Sequence, residues 1–389
     1  MRVGVIGGGQ LAWMMGRVAE SLGVELIIQT PSATDPAVAI AADTILAPVA
    51  DASATARLAQ RCDVITFENE FIDIPALRAL PKSQTLFRPR LEALAPLLDK
   101  FQQRQYLQSL GLPVPRFMAL TPTVDISPTA VTDPSQPLTL AYPLVLKARR
   151  HGYDGKGTHV VRSQADLGRV VSSDTLGSQL WMLEEFIPFQ RELAVMAARG
   201  ADGAIAVYPV VESVQVDQVC RRVVAGIDLP QSVVQSTGAI ARSILRSLQV
   251  VGIFGIELFL TADNRVLINE IAPRTHNSGH YTLDACATSQ FEQQLRAVCG
   301  LPLGDPALQW PGALMVNLLG YEAADSDYPE QRQQLAQLTN SVVYWYGKGQ
   351  SRPGRKLGHV TATLESGQIE AQAEALSRQI ESIWYPQRN

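Results

Sequence analysis

The stretch PLVLKARRHGYDGKGTHVV, residues 143–161, decides the fold predicted for this chain. Two runs of β-type residues, 144–147 and 158–161, flank a segment rich in glycine and in basic side chains. Glycine lets a backbone approach a ligand closely and present its N–H groups, while lysine and arginine meet negative oxygens. The pattern therefore predicts a hairpin whose tip covers phosphate groups. A mobile hairpin with a solvated basic tip is the alternative that composition alone allows.

A second stretch, GIELFLTADNRVLINEIAPR (residues 255–274), predicts a hairpin that brings two carboxylates together. A symmetric pairing about its turn places Leu260 opposite Leu267. It then places Glu257 opposite Glu270, and directly opposed residues have β-carbons only about 4.5–5.5 Å apart, where like charges repel. Two such acids require a cation, and magnesium in nucleotide sites takes one or two carboxylates together with phosphate oxygens. A slipped register that leaves one glutamate exposed is the alternative.

A glycine-rich turn also opens the chain, in RVGVIGGGQLAWMMGR (residues 2–17). Gly7, Gly9 and Ala12 satisfy the G-x-G-x-x-G/A spacing of a dinucleotide-binding turn between a strand and a helix. That fingerprint also requires an acid at the end of the following strand, and residues 24–31 provide none there. The turn is therefore expected to face a phosphate at a helix N-terminus, while a nicotinamide cofactor is not supported.

Composition restricts the class of protein. The chain has 389 residues, 46% of them hydrophobic, and a formal net charge of −4, which predicts a globular protein of two or three domains and argues against a nucleic-acid or membrane-surface binder. Its 4 cysteines show no C-x-x-C spacing, which favours reduced thiols in a cytoplasmic protein over disulfides or zinc. No apolar stretch approaches about 18 residues, so no membrane span is expected.

Three regions follow one another along the chain. Residues 1–112 alternate strand and helix, which predicts a doubly wound parallel sheet, and a helix is expected to begin after Asp99. Residues 113–305 contain mainly strand patterns, with a proline-rich excursion at 121–139 to which no secondary structure is assigned. Residues 306–389 predict a small β-rich domain. The fold class is thus α/β in the first domain and α+β beyond it.

Five motifs carry a resemblance to the ATP-grasp superfamily. They are GGGQL (7–11), TFENE (66–70), HGYDGKG (151–157), INEIAPRTHNSGH (268–280) and RPGRKLGH (352–359). Within that superfamily, the chain resembles the biotin-independent carboxylases of purine biosynthesis. The resemblance implies an ATP-grasp domain that follows a pre-ATP-grasp domain and precedes the small C-terminal domain.

The same resemblance implies a reaction. ATP, bicarbonate and aminoimidazole ribonucleotide are expected to give ADP, phosphate and the N-carboxylated ribonucleotide. Bicarbonate is expected to attack the γ-phosphate to form carboxyphosphate, and the exocyclic amine then captures that species or carbon dioxide released from it. Such chemistry needs positioning and charge neutralisation more than covalent help from the protein. Magnesium, a homodimer and a cytoplasmic location are implied as well, with no nucleic-acid or membrane partner.

For the nucleotide, the resemblance assigns phosphate contacts to Lys100 and Lys147, ribose contacts to Glu192, and magnesium to Glu257 and Glu270. Residues 152–158 are expected to cover the phosphates, and residues 184–187 to line the adenine pocket through backbone groups. The full set expected at ATP is Lys100, Lys147, Gly152, Tyr153, Asp154, Gly155, Lys156, Gly157, Thr158, Glu184, Glu185, Phe186, Ile187, Glu192, Gln215, Asn269 and Glu270.

A second set is expected at the ribonucleotide. Its members are Gly9, Gln10, Leu11, Glu68, Arg274, His276, Asn277, Ser278, Lys348, Arg355 and Lys356. Tyr153, Asp154, Arg274 and His276 form the expected catalytic group, in which Tyr153 and Asp154 reach the amine or the bicarbonate. The order Glu68-Asn69-Glu70 leaves open which acid faces the substrate.

Alternatives remain at this point. A zinc site built from His276 and His280 competes with the anion pocket, although Gly279 between them disfavours a helical pair of ligands. Another ATP-grasp ligase, such as formate-dependent glycinamide ribonucleotide transformylase, is the nearest functional alternative. An NAD-dependent oxidoreductase and a catalytically silent nucleotide-binding module belong to different classes. The absent ribose acid argues against the oxidoreductase, and the presence of both Glu257 and Glu270 argues against the silent module.

Overall fold

The computed structural model describes residues 1–81, 86–121, 124–127, 129–133, 138–150, 152, 157–172 and 180–385. The chain begins with a four-stranded parallel sheet in the order β3-β2-β1-β4, as the strand–helix alternation predicts. Its strands are β1 (Arg2–Ile6), β2 (Glu25–Thr30), β3 (Asp43–Leu46) and β4 (Val64–Phe67). The helices that connect them are α1 (Gln10–Ala19) and α2 (Ala52–Ala59).

Three further helices lead out of this sheet: α3 (Ile74–Arg78), α4 (Leu91–Leu94) and α5 (Lys100–Ser109). The predicted start of α5 is confirmed. Asp99 is its N-cap and accepts hydrogen bonds from the backbone N–H groups of Phe101 and Gln102, which have no partner within the helix. This cap fixes where α5 begins, and so which side chains of its first two turns share one face of the helix.

The proline-rich stretch 121–139 contains secondary structure, so the prediction of none there is wrong. After β5 (Phe117–Ala119), three short strands form an antiparallel sheet: β6 (Asp125–Ile126), β7 (Ala130–Asp133) and β8 (Leu138–Ala141). Val131 and Leu140 oppose each other in this sheet and are fully buried, in one cluster with Leu144 and Val161. The strands fall between the prolines in sequence, so proline separates strands here rather than excluding them.

The hairpin predicted from residues 143–161 is present. Strands β9 (Leu144–Ala148) and β10 (Thr158–Val161) pair antiparallel, with Lys147 opposite Thr158. After α6 (Gln164–Ser172), β11 (Trp181–Glu185) completes a sheet in the order β10-β9-β11-β5. This sheet places Lys147 beside Met182, next to the strand end where Glu184 lies.

One nine-stranded sheet contains the other strands of the described chain. Eight of them follow the order β17-β16-β12-β14-β15-β18-β20-β19, and β13 pairs with β12 beside that path. The strands are β12 (Phe189–Arg199), β13 (Ile205–Val207), β14 (Val211–Val216), β15 (Val219–Ala225), β16 (Gly252–Thr261), β17 (Val266–Ala272), β18 (Gly312–Leu319), β19 (Ser341–Trp345) and β20 (Lys356–Leu364). Because β15 pairs with β18, the sheet runs through the domain boundary expected at residue 305.

Five helices pack on or between these strands: α7 (Gln231–Leu248), α8 (Thr282–Ala285), α9 (Gln290–Cys299), α10 (Pro329–Leu335) and α11 (Ile369–Trp384). Tyr344 and Tyr346, from the C-terminal third, share a buried cluster with Val3 of β1, Met14 of α1 and Phe291 of α9. The three parts of the chain therefore form one packed body.

Two further expectations concern the whole chain. No described helix is both long enough and apolar enough to cross a membrane. All four cysteines lie in the described part of the chain, and none forms a disulfide.

Candidate active site

The β16–β17 hairpin brings Glu257 opposite Glu270, as the sequence predicts. The other predicted pair is wrong: Leu260 lies opposite Val266, not Leu267. The register shifts by one residue between Glu257 and Leu258, so the strand contains a bulge in which Asn269 is the extra residue. A prediction that pairs residues symmetrically about the turn assumes an unbroken ladder. It therefore cannot foresee a bulge, and it gives the wrong partner for Leu260.

This bulge decides which surface of the sheet the acids share. In an unbroken ladder the pairs next to the turn would continue, and Glu257 would face Asn269 while Glu270 pointed to the other surface. With the extra residue, Glu257 and Glu270 are paired and project together. Bulges often re-aim side chains next to functional sites.

Cations approach Glu270 and its neighbour Asn269 from α5 and β9. The Lys100 ammonium forms an ion pair with Glu270. Lys147 Nζ lies 3.0 Å from Asn269 Oδ1 and 2.6 Å from Glu184 Oε2. The structure thus brings together residues that the resemblance assigned to ATP, although they lie up to 170 positions apart.

The side chain of Glu184 has a role that the sequence did not predict. It is 1% exposed and lies between Lys147 and Arg104, whose Nε is 2.5 Å from Glu184 Oε1. Burial opposes the charged form, but the two cations outweigh it and lower the pKa of Glu184 to about 2. Arg104 was missed altogether, and its position four residues after Lys100 on one helix face is the signal that could have found it.

The pKa values of Glu257 and Glu270 are shifted in opposite directions. Burial and, after it, the negative charge of Glu270 together raise the pKa of Glu257 to about 7. Burial also acts on Glu270, but there the adjacent Lys100 prevails and holds the pKa below its usual value. The hairpin therefore has more negative charge than Lys100 compensates. A divalent cation would stabilise that excess, and the carboxylate and amide oxygens available are the hard donors that magnesium takes.

Other residues expected at ATP lie around this cluster. Glu192 is on the same sheet surface as Glu257, because it is two residues from Ala194, the partner of Glu257 in β12. Burial raises the pKa of Glu192 to about 7, and a hydrogen bond with Gln215 opposes that rise. Glu185 is bonded to Arg116 at 2.9 and 3.1 Å. Phe186 and Ile187 follow, both half-buried.

The tip of the β9–β10 hairpin is only partly described. Tyr153, Asp154, Gly155 and Lys156 lie outside the described residues, and so does His151. Gly157 is described and has a φ of +78°, a conformation that favours glycine, and a β-carbon there would approach the Ala148 Cβ to 2.8 Å.

A second cluster forms at the opening glycine turn. Glu68, at the end of β4, accepts a hydrogen bond from the backbone N–H of Leu11 in the first turn of α1. A β-carbon added at Gly7 would lie 2.7 Å from Glu68 Oε2, and one added at Gly9 would overlap Glu68 Oε1, so a side chain at either position would displace the carboxylate. Gly7 also has a φ of +110°, which favours glycine. Burial raises the pKa of Glu68, and the nearby charges of Arg274 and Lys348 oppose the rise.

The C-terminal third supplies cations to this cluster. Lys348 Nζ donates to Gln10 Oε1 and to the carbonyl oxygen of Lys356, both at 2.8 Å. Arg274 Nε lies 2.8 Å from Glu70 Oε1. Thus Glu68 contacts the glycine turn while Glu70 binds Arg274, which separates the two acids that the sequence left equivalent. Arg355 donates to the carbonyl oxygen of Gln350 at 2.6 Å.

His276 lies between the two clusters. A β-carbon at Gly255 would come within 2.5 Å of His276 Cβ, so the histidine packs directly on β16. Its Nε2 is 3.7 Å from Glu257 Oε1, and its Nδ1 is 2.9 Å from Ser278 Oγ. The neighbouring Asn277 is buried and exchanges amide hydrogen bonds of 3.0 and 2.7 Å with Asn317. Asn277 and Ser278 therefore hold the segment in place.

His280 faces away from this junction. It is fully buried, with Nδ1 at 3.0 Å from Gln290 Nε2, and its ring centroid is 4.8 Å from that of His359. His276 and His280 thus direct their Nδ1 atoms to different partners. Within the described residues, no group of three or more His, Cys, Asp and Glu side chains is arranged to hold a metal ion.

Three family models match successive parts of the chain: the ribonucleotide synthetase preATP-grasp domain at residues 1–96, the ATP-grasp domain at 105–291, and the phosphoribosylaminoimidazole carboxylase C-terminal domain at 313–373. With the geometry above, they define an ATP-grasp protein, an ATP-dependent ligase. The N5-carboxyaminoimidazole ribonucleotide synthase of Synechococcus elongatus is 57% identical over 385 residues, covering 98% of this chain and 95% of that protein. The chain belongs to the N5-carboxyaminoimidazole ribonucleotide synthase family.

Solved structures agree with this assignment. The ADP complex of an N5-carboxyaminoimidazole ribonucleotide synthetase is 33% identical, with a TM-score of 0.86 and coverage of 98% of this chain and 96% of that one. An N5-carboxyaminoimidazole synthase from Aspergillus clavatus, solved with ADP and 5-aminoimidazole ribonucleotide, is 29% identical. Its TM-score is also 0.86, with coverage of 98% of both chains. The expected three-part fold is therefore confirmed.

Proposed function

We propose that this chain carboxylates the exocyclic amine of 5-aminoimidazole ribonucleotide in purine biosynthesis. ATP and bicarbonate are the other substrates, and ADP, phosphate and N5-carboxyaminoimidazole ribonucleotide are the products. The observation that carries the proposal is the junction at His276, which lies against Glu257 of the first cluster and follows Arg274 of the second. The two clusters therefore meet at one residue, where the reacting ends of two charged substrates would be brought together. We call the first cluster the nucleotide cluster and the second the ribonucleotide cluster.

In the nucleotide cluster, Lys100 and Lys147 are proposed to bind phosphate oxygens. Both lie within hydrogen-bonding or ion-pair distance of residues of the β16–β17 hairpin, so they are aimed at the hairpin before ATP arrives. Glu257 and Glu270 would hold magnesium, with Asn269 beside them. Bound there, the ion would neutralise the charge that develops on the transferring phosphoryl group.

In the ribonucleotide cluster, Arg274, Lys348, Arg355 and Lys356 are proposed to bind the substrate and its phosphate. Glu68 occupies the N-terminus of α1, where it accepts from Leu11, so its carboxylate fills the position that a phosphate takes in a dinucleotide-binding turn. The glycine turn is therefore proposed to orient Glu68 toward the ribonucleotide and to form a wall of its site.

The proposed reaction has two steps. A bicarbonate oxygen attacks the γ-phosphorus of ATP and ADP leaves, which gives carboxyphosphate. The amine nitrogen then attacks the carbonyl carbon of carboxyphosphate, phosphate leaves, and the nitrogen loses a proton. Arg274 and His276 are proposed to lie at the bicarbonate, and Tyr153 and Asp154 near the amine. The site must exclude water, because carboxyphosphate hydrolyses easily, and residues 152–158 are proposed to cover it.

Some broader predictions accompany the proposal. The division at residues 112 and 305, the homodimer and the cytoplasmic location all rest on the sequence and on the resemblance. Sedimentation velocity of the purified chain tests the dimer directly, because a dimer has twice the 42.3 kDa mass of the single chain.

The experiment that tests the function measures ADP release with each substrate omitted in turn. We expect release to require both aminoimidazole ribonucleotide and bicarbonate, and label from carbon-14 bicarbonate to enter an acid-labile ribonucleotide product. Formate in place of bicarbonate, with glycinamide ribonucleotide as acceptor, is the matched alternative. ADP release that depends on formate would select the transformylase, and release that needs no acceptor would contradict both ligases.

A further inference from the structure

Helix α5 covers the free edge of β17. Because β17 is the terminal strand of the described nine-stranded sheet, one side of its backbone faces no neighbouring strand. Gln103 lies on that side. Its Oε1 accepts from the Ile271 N–H at 2.9 Å, and its Nε2 donates to the Ile271 carbonyl oxygen at 3.1 Å. The side-chain amide thus makes the pair of hydrogen bonds that a residue of an adjacent antiparallel strand would make.

Both N–H groups of the Gln103 amide are used. Gln103 is 2% exposed, and Nε2 also donates to the carbonyl oxygen of Leu97 at 3.1 Å. The amide therefore connects the segment before α5 to β17 through three bonds in a buried environment. Each such bond stabilises the contact, and leaving a buried backbone group without its partner is more destabilising than the bond itself is stabilising.

Three side chains of α5 hold three successive residues of β17. The pairs are Lys100 with Glu270, Gln103 with Ile271, and Arg104 with the carbonyl oxygen of Asn269. The three lie at positions i, i+3 and i+4, so they share one face of the helix. The residues that they hold are the bulged Asn269 and the two that follow it.

The contact matters because the bulge competes with an unbroken register. A bulge leaves one residue unpaired and disrupts the ladder, so its backbone groups need partners elsewhere. In the unbroken register Glu270 would leave the surface that it shares with Glu257. Gln103 bonds Ile271 in the bulged register, and a slip of one residue would break both of these bonds.

We propose that Gln103 is a positioning residue for the nucleotide cluster: by bonding Ile271, it holds β17 in the bulged register that places Glu257 and Glu270 on one surface. It acts through the strand and touches no substrate. The identity of the ligand, ATP with magnesium, rests on the proposed function.

The test is Gln103→Met, which keeps the length of the side chain and removes all three hydrogen bonds. Gln293 supplies a matched control, since it is fully buried and its amide bonds the N–H and carbonyl of Gly304 at 2.7 and 2.8 Å. Calorimetric titration of each purified variant with ATP and magnesium, without other substrates, gives the dissociation constant. Melting temperatures measure the structural cost of each change.

We expect Gln103→Met to weaken binding of ATP with magnesium by about tenfold or more, the usual loss when an outer-shell partner of a metal ligand is removed. Gln293→Met should lower the melting temperature similarly and leave that binding unchanged. The Michaelis constant for aminoimidazole ribonucleotide should be unchanged in both. Equal dissociation constants for Gln103→Met, Gln293→Met and the unaltered chain would overturn the proposal.

A second variant covers the case in which Gln103→Met does not fold. Gln103→Glu has the same shape and still accepts from the Ile271 N–H, but it has no N–H to donate to the two carbonyls. It should weaken binding of ATP with magnesium in the same direction, and unchanged binding would overturn the proposal. The substrate-omission experiment on the unaltered chain is independent of this result, so the proposed function and the role of Gln103 fail separately.

Discussion

The nucleotide and ribonucleotide clusters balance their charges differently. In the nucleotide cluster, cations are paired with carboxylates: Lys100 with Glu270, and Lys147 and Arg104 with Glu184. In the ribonucleotide cluster, Arg274 is paired with Glu70, while Lys348 and Arg355 donate to neutral amide and carbonyl oxygens. Ion pairs that are already formed contribute to the fold, whereas a hydrogen bond to a neutral oxygen is weaker and is more easily exchanged for a contact with a bound anion. Changes in the first cluster should therefore affect both stability and binding, and changes at Lys348 and Arg355 mainly binding.

The largest expected effect is on stability, in Arg104→Met. Glu184 would keep only Lys147, and removing one partner of a buried ion pair typically costs about 3–5 kcal/mol. Urea unfolding measures the loss. Arg378→Met is the control, because Arg378 is 70% exposed in its ion pair with Glu374 and such pairs contribute about 0–1 kcal/mol. Equal losses in the two variants would show that the nucleotide cluster does not stabilise the fold through its charges.

The next effect is on turnover, in Glu270→Gln. The substitution removes a proposed metal-bound charge and the partner of Lys100 without changing volume. Loss of outer-shell partners alone costs about 10–100-fold, so we expect ADP release to fall by at least about a hundredfold. Glu25→Gln, which alters an exposed pair with Arg2 outside both clusters, should have little effect. Near-normal ADP release by Glu270→Gln at ordinary magnesium concentrations would remove the metal site from the hairpin.

A crossed pair of variants separates the substrates. Arg355→Ala should raise the Michaelis constant for aminoimidazole ribonucleotide about 10- to 100-fold, the cost of about 1.5–3 kcal/mol for one charge-assisted contact to phosphate. Its ATP affinity should stay nearly unchanged. Lys147→Ala should do the reverse and weaken ATP first. Steady-state kinetics with each substrate varied gives both constants, and impaired ATP binding in Arg355→Ala would assign the C-terminal third to the nucleotide.

The smallest effect concerns the pH dependence of stability, and it divides two buried groups, His359 and Glu184, by the pH at which each titrates. Burial lowers the pKa of His359, behind Lys348, to about 3, and its Nδ1 lies 2.7 Å from Tyr346 Oη. In the unfolded chain His359 is protonated below about pH 6.5, whereas in the folded chain it stays neutral until the pH approaches 3. The free energy of unfolding therefore falls as the pH drops from 6.5 toward 3. The pKa of Glu184 is lowered by its cationic partners instead. The stabilisation from that group is complete above about pH 4.5 and is lost as the pH falls from 4.5 toward 2.

His359→Phe tests this division. Between pH 6.5 and 5.5, the unfolding free energy of the unaltered chain should lose about 1 kcal/mol through His359, and the variant should lose that much less. The slope of stability against pH is the measurement, because the substitution also changes the stability at neutral pH. Arg104→Met should leave this slope unchanged in the same window. Parallel slopes for the unaltered chain and His359→Phe would mean that His359 is protonated in the folded state.

Local patterns predicted much of the nucleotide cluster from sequence. The β9–β10 and β16–β17 hairpins follow from turns and apolar runs that lie within 20 residues of each other. The bulge was not predictable in this way, because the partner that holds Ile271 is 168 residues away in α5. Gln103 and Arg104 look like ordinary helix residues until α5 is placed against β17. The sheet at 125–141 was missed because the prolines outweighed a weak alternation of buried residues.

The ribonucleotide cluster was predictable only through the resemblance. Lys348 and Gln10 are 338 residues apart, and no local pattern connects them. The acids at the end of β4 show the same limit, since Glu68 and Glu70 are equivalent in sequence until the glycine turn and Arg274 select one each. Residues brought together by three separate parts of the chain require the packed structure to be recognised.

The continuous ladder from β15 to β18 has a consequence for chimeric and split versions of this enzyme. A cut after residue 305 would expose the edge of β15, whose unpaired N–H and carbonyl groups would be a template for association with other chains. A C-terminal segment transplanted from a relative would have to reproduce the pairing of Val223 with Met315 and of the neighbouring residues. Without that pairing, Lys348 and Lys356 would not reach the ribonucleotide cluster. The last third of the chain therefore does not fold independently of the sheet before it. Recombination between relatives should succeed only where β15 and β18 come from the same parent.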